Sequence, residues 1–310
     1  MNKLKKVGLT ALAASLVSVS AQAVDISGGS SISYNGGNDG VQGNPWSMND
    51  SLTFSWGGEL DNGFTVDMSF LLDNSDGAAS QIFDNRTLKL GMGTGGDLTF
   101  WGQAGSGVVG SFDDKTPNAY EESWNSADSP NQGHSASNMF YYTNALDAVT
   151  IHISHTPAGH MSSTEFGAVI TAIDGLELGV AMGDDEATNN AVVENTIMYA
   201  KYTVGGATFG VQSNEADSEA ANSDEEFTAW GVSYAVNEDM SVSYGQSKID
   251  YEAVGTQSQE ATGISASYTM GSMTLAGTVN DITNQGSAAT GAGNTTTNNE
   301  TFEINLAFSF

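Results

Sequence analysis

The last ten residues, Thr301 to Phe310, alternate without a break: Phe302, Ile304, Leu306, Phe308 and Phe310 share one face, and Thr301, Glu303, Asn305, Ala307 and Ser309 the other. Successive strand residues point to opposite faces of a sheet, so this segment suits a wall with lipid on one side and a polar lumen on the other. No stretch after residue 23 offers the ~20 uncharged apolar residues that a spanning helix needs. A chain that crosses a membrane in strands must close on itself, because lipid leaves no partner for an unpaired N–H or C=O. The pattern therefore predicts an all-β fold, a transmembrane antiparallel β-barrel.

At the other end, Lys3, Lys5 and Lys6 precede the apolar run Val7 to Val19, which leads to Ala21-Gln22-Ala23. This is the layout of a secretory signal peptide with an A-x-A cleavage site, spanning residues 1–23 and leaving 24–310 as the exported barrel. Of the eight Lys+Arg residues, three lie in that leader, whereas all 37 Asp+Glu lie beyond it. So acidic a chain repels phosphate backbones, which excludes nucleic acid as a partner, and it concentrates cations around itself. Cysteine is absent, so neither disulfides nor thiol chemistry contribute.

Between the two ends runs a two-beat rhythm of alternating segments joined by a tight turn, then by a longer polar loop. Tight turns are read at Glu59 to Gly63, Gly93 to Asp97, Asn144 to Asp147, Asp174-Gly175, Gly205-Gly206, Asn237 to Asp239 and Gly271-Ser272, each rich in the Gly, Asn and Asp that hairpins require. Long loops are read at Gly36 to Met48, Asn74 to Phe83, Gly102 to Ser137, Pro157 to Ser162, Asp184 to Val193, Asn214 to Glu226, Tyr251 to Glu260 and Asn280 to Asn299. Seven turns and eight loops join sixteen strands, at about 18 residues per strand with its connection, enough for a tilted span. Sixteen strands enclose a water-filled channel. The phase is clear at Leu52, Phe54 and Trp56 and at Leu176, Leu178, Val180 and Met182, and ambiguous over 139–143 and 164–173. A secreted β-sandwich also alternates. The terminal Phe, the strict rhythm and the aromatic residues at strand ends favour the barrel.

The third loop is far longer than the rest, and loops beyond about 12 to 15 residues are usually functional. After the fifth strand of a wide barrel such a loop can fold inward and narrow the lumen. The stretch Asp84-Asn85-Arg86-Thr87-Leu88-Lys89-Leu90-Gly91, followed by Asp97 to Gln103, the leader and the C-terminal strand together resemble the general trimeric porins of Gram-negative bacteria. That family carries a similar N-R-x-x-x-x-G strand, then a G-R-Q/N-like end to the fifth strand. Here Gly102-Gln103 departs from it, and Gln103, by parity with Thr99 and Trp101, replaces the usual arginine of the lumen wall. The resemblance implies residues 103–137 as a constriction loop, an outer-membrane location, a homotrimer set among outer-membrane lipid and lipopolysaccharide, and passage of small hydrophilic solutes and cations.

Parity assigns Lys89 and Lys201 to the lumen wall, with Gln103 and Trp101. Arg86, the only arginine, falls on the outward face, where mid-bilayer placement would cost about 2 to 4 kcal/mol; it belongs near the external rim or in a subunit contact, or else a local bulge turns it inward. Within the long loop Asp113, Asp114, Glu121, Glu122 and Asp128 outnumber Lys115. Rings of carboxylates select cations, so these five are the candidate constriction residues, with Asp114 and Glu121 foremost and Asp113 and Asp114 expected to point apart.

Other signals are weaker. The acidic groups Asp184, Asp185 and Glu186 and those from Glu215 to Glu226 are hard oxygen donors but form no Ca²⁺-binding EF-hand loop, so no metal site or cofactor is assigned. His134, His152, His155 and His160 give no Ser/His set oriented by a third group, and no enzymatic activity is expected. Together these features predict a passive, cation-preferring diffusion channel, the alternatives being a substrate-specific channel or an acidic Ca²⁺-binding surface protein or adhesin without a pore.

Overall fold

The computed structural model describes residues 24–37, 44–73, 83–122, 135–157, 162–186, 192–285 and 298–310. Sixteen antiparallel strands close into one barrel: β1 (Asp25–Gly37), β2 (Trp46–Glu59), β3 (Thr65–Asp73), β4 (Asn85–Gly91), β5 (Asp97–Gln103), β6 (Met139–Leu146), β7 (Val149–Thr156), β8 (Ser163–Ile173), β9 (Leu176–Glu186), β10 (Val192–Val204), β11 (Ala207–Ser218), β12 (Glu225–Ala235), β13 (Met240–Tyr251), β14 (Gln259–Met270), β15 (Met273–Thr283) and β16 (Asn299–Ser309). Each strand pairs with its neighbour in sequence, and β1 returns to β16, where Gly28 and Phe310 exchange both backbone hydrogen bonds at 3.0 Å. The β-sandwich reading is thereby overturned. Among the described residues no helix is long and apolar enough to cross a membrane.

The wall is apolar outside. Val279 is 61% exposed, Met198 55% and Phe209 51%, while their strand neighbours Thr278 and Gln212 are nearly buried inside. At the external rim Tyr34 meets Trp46 edge-on at 4.9 Å and stacks on Phe302 at 5.8 Å, as an interfacial aromatic girdle does. The two segments of ambiguous phase resolve cleanly: Phe140 and Phe166 point out, whereas Met139 and Glu165 are buried inside.

Six of the seven tight turns fall where the sequence predicts them; in the remaining hairpin Asn144 to Leu146 still belong to β6 and the turn closes at Asp147-Ala148, and several strands run past the predicted loop boundaries. The acidic residues Asp184 and Asp185 close β9, Glu215 and Asp217 continue β11, and Glu225 and Glu226 open β12. Beyond the lipid both faces of a strand are polar, so alternation vanishes although the hydrogen-bond ladder continues. A bulge between Ile170 and Ile173 in β8 and another at Arg86/Thr87 break the register locally.

Barrel closure depends on Gly28, where an added Cβ would lie 2.6 Å from the Ser51 carbonyl oxygen and 2.9 Å from the Phe310 ring. Gly28→Val is expected to cost about 1–3 kcal/mol through overpacking. A lower temperature of conversion from compact to unfolded mobility on gels of incompletely heated protein checks this.

Candidate pore constriction

The third loop leaves β5 with Gly105–Ser106, which pair with Ser135–Ala136 on its return. It then forms a one-turn helix, α1 (Val108–Phe112), inside the barrel. The reason is apolar: Val108 and Val109 are fully buried and Phe112 is 2% exposed, packed on Ala181, Ile197 and Tyr199 with Tyr141 and Val169 alongside. A Cβ on Gly167 would stand 2.6 Å from Val108 and 2.9 Å from Phe112, so β8 accepts the helix only with glycine there.

Polar contacts then hold the loop to the wall, strand after strand. The Val108 N–H donates to Ser154 Oγ at 3.0 Å and the Val109 N–H to Glu165 Oε2 at 3.0 Å, while Ser154 Oγ donates to the same carboxylate at 2.9 Å. Ser111 Oγ lies 3.1 Å from Tyr141 Oη, which is 3.0 Å from His152 Nδ1, so His152 belongs to this support. Further on, the Lys115 N–H donates to Gln212 Oε1 at 2.8 Å, and Asp113 Oδ1 accepts from Gln212 Nε2 at 2.6 Å and Asn214 Nδ2 at 2.9 Å. The Ala119 N–H donates to Ser243 Oγ at 3.0 Å, and Tyr120 Oη donates to Glu303 Oε1 at 3.2 Å on β16. The described loop thus follows the inner wall from β7 to β14 and reaches β16. Against the opposite wall, on β1–β5, lies a cavity of 630 Å³ whose lining includes Asp25, Ser55, Asp67, Thr87, Lys89 and Trp101.

Four of the five candidate acids are described, and Asp128 lies outside the described residues. Asp113 and Asp114 do not point apart: Asp114 has a φ of 53°, which breaks the alternation, and its carboxyl hydrogen-bonds to that of Asp113. Burial, then the charges of Asp113 and Glu122, push the Asp114 carboxyl up to about 7. Burial, then Glu303 and Glu122, lift Glu121 to about 6, and burial also raises Glu122 although Asn118 Nδ2 donates to it at 2.9 Å. The Lys115 ammonium is pushed down by burial and next by Lys201.

On the wall, Lys89 Nζ stands 3.8 Å from both Asp67 and Asp97, and Lys201 Nζ 2.9 Å from Glu177. Trp101 is half-buried at the loop's root beside Gly105. Gln103 departs from its parity: Gly102 and Gln103 together oppose Arg86 across a bulge, and the Gln103 amide donates to the Phe83 carbonyl. Arg86 itself pairs with outward-facing Phe70 and donates Nη2 to the Gly102 carbonyl at 3.3 Å, so the bulge does not turn it inward. Sequence reasoning missed Ser154, Glu165, Gln212 and Asn214. Their only signal was polar character on what proves to be the lumen face, in β7, β8 and β11.

A closed sixteen-stranded barrel strapped internally by its third loop is the architecture of outer-membrane barrel proteins. It resembles in-vitro folded OmpT, an outer membrane protein of Vibrio cholerae (TM-score 0.68, 12% identity, covering 94% of this chain and 100% of that one). It also resembles a mutant of the Rhodobacter blastica porin (TM-score 0.67, 16% identity, 93% and 100%) and a trimer form of OmpT (TM-score 0.69, 12% identity, 93% and 99%). No curated sequence matches. The sequence profile of the Gram-negative porin family matches residues 8–287, and the chain belongs to that family.

Replacing Ser154 and Glu165 together by Ala leaves two buried N–H groups of α1 without acceptors, at about 1–3 kcal/mol each. The loop should loosen while the β7–β8 ladder persists. Planar-bilayer recording should then show larger, noisier single-channel conductance.

Proposed function

We propose that this outer-membrane porin is a passive diffusion channel for small hydrophilic solutes that prefers cations, works as a homotrimer and needs no resident cofactor. One observation carries the selectivity: the loop lines the inner wall with Asp113, Asp114, Glu121 and Glu122, while the wall cations Lys89 and Lys201 are already matched by Asp67, Asp97 and Glu177. Of the five cations beyond residue 23, Lys248 sits 2.7 Å from Asp250 and Arg86 faces outward. Only Lys115 remains in the loop to oppose the acids. A carboxylate-lined constriction selects cations by its potential. The trimer form described for OmpT supports the homotrimer, with lipid and lipopolysaccharide around it. Passage through the membrane follows export directed by residues 1–23.

A substrate-specific channel would favour a ladder of lumen aromatics; among the described residues lining the open wall only Trp56 and Trp101 are aromatic, too few for such a ladder. The coat or adhesin alternative calls for no lumen, whereas a family member with a strapped barrel has one. Diffusion remains the better reading.

The test is the zero-current potential of the purified protein in a planar bilayer under a KCl gradient. At pH 8, above the values of Asp114 and Glu121, the potential should be cation-selective. Asp114 and Glu121 gain protons as pH falls through about 7 and about 6, so selectivity should decline between pH 8 and 5. Asp114→Asn with Glu121→Gln should lower it at pH 8 and flatten that decline. An unselective wild type, or selectivity indifferent to both variants and pH, would remove these acids from the filter. The sign for loop stability is opposite: both carboxyls hold protons more tightly when packed than in an unfolded chain, so packing strengthens as pH falls from about 7 towards 4.

A further inference from the structure

Four glycines stand side by side on the lumen wall. Gly210 of β11 pairs with Gly231 of β12, Gly231 with Gly245 of β13, and Gly245 with Gly263 of β14, so one row across four strands carries no side chain. Their strand neighbours Phe209, Val211, Trp230 and Ile264 are exposed on the lipid side, which turns the glycines inward. Glycine weakens a strand and packs nothing, and inside a sheet it marks a place where another backbone comes close. The row forms a shallow trough.

The third loop supplies the backbone that lies in it. A Cβ on Gly210 would collide with Pro117 Cδ, and a Cβ on Gly231 would stand 3.0 Å from the Pro117 carbonyl oxygen and 3.4 Å from Thr116 Cβ. Proline suits this position, because it brings no N–H that a bare glycine wall would leave without an acceptor. Thr116 is 3% exposed and its hydroxyl has no hydrogen-bond partner among the described residues, so it is held by fit. Hydrogen bonds pin the loop on either side: the Lys115 N–H on Gln212, two residues beyond Gly210, and the Ala119 N–H on Ser243, two residues before Gly245. Asp113 and Asp114 precede this seat and Glu121 and Glu122 follow it.

We propose that the glycine trough, at Gly210 and Gly231, sets the clearance of the pore. It lets Thr116-Pro117 lie flat on the wall, and a side chain there lifts the acidic loop toward the open wall on β1–β5. The inference rests on the loop-lined diffusion channel proposed above. Gly210, Gly231 and Pro117 are positioning residues, which act on solutes only through the loop.

The chain lacks cysteine, which permits a test of the seat that does not depend on conduction. The 3.4 Å between Thr116 Cβ and a Cβ on Gly231 is close to the roughly 3.5–4.5 Å that a disulfide spans. Thr116→Cys with Gly231→Cys should therefore oxidise to a disulfide within the folded protein, read as maleimide labelling that is lost until a reductant is added. Thr116→Cys with Gly263→Cys, two strands further on and about 10 Å away at the usual strand spacing, should keep both thiols free. In planar bilayers Gly210→Ala should lower single-channel conductance, the opposite sign to loosening the loop at Ser154 and Glu165. Adding Pro117→Ala, which removes the Cδ that the new methyl would strike, should restore it, with heat-modifiable mobility reporting an intact barrel throughout. Conductance that is unchanged or raised in Gly210→Ala, or a loss that Pro117→Ala does not reverse, overturns the proposal. If Gly210→Ala fails to form a barrel, the cysteine pair decides: free thiols in Thr116→Cys with Gly231→Cys overturn the seat. A non-conducting wild type whose cysteine pair still oxidises refutes the channel reading rather than the seat.

Discussion

Everything in this protein follows from the requirement that backbone groups in lipid be paired within the chain. A sheet of sixteen strands has two open edges, and the structure removes both by joining β1 to β16 through a ladder that ends on Gly28 and Phe310. The constraint inverts the usual distribution of side chains. Large apolar residues lie exposed on the outside, and one buried apolar cluster sits within the lumen where α1 packs on the wall, with a second formed by Phe227, Ala229, Ile249, Ala261 and Ile282. A lumen-facing wall left bare would be polar throughout; here part of it is apolar because a loop has to rest on it.

That loop shows how a polar lumen and a defined constriction coexist. A segment of this length would lose much conformational entropy on ordering. The structure offsets that loss with one small hydrophobic anchor and a succession of hydrogen bonds from loop backbone to wall side chains. The carboxylate of Glu165 accepts from both a loop N–H and Ser154, so it acts as a positioning residue for α1 rather than as part of the filter. The acids downstream are buried and then crowded together by this path, which is why the Asp114 and Glu121 carboxyls are pushed up.

Charge is partitioned among three places with different physics. Carboxylates at the external strand ends stand in water, where their mutual repulsion is screened. Loop carboxylates stand in a narrow lumen, where low dielectric makes their field strong. Arg86 stands on the outward face, where lipid offers a charge no water. The same residue types thus serve solubility and the proposed selectivity, according to the medium each one faces.

Alternation, turn chemistry and the absence of an apolar helix were enough to read the barrel and its sixteen strands from the sequence, because each depends on neighbours only two residues away. Bulges are invisible to that logic. Gly102 interrupts the period and displaces Gln103 from the position its parity indicates, and the left-handed backbone at Asp114 brings its carboxyl onto Asp113 instead of away from it. The loop's path could not be read either, since Ser154, Glu165, Gln212 and Asn214 lie far from it in sequence and are ordinary polar wall residues until the barrel closes. Strand pattern decided which residues face water and which face lipid; only the tertiary structure decided which lumen residues meet across the pore and which wall glycines fall into one row, because both follow from the tilt and register of the closed sheet.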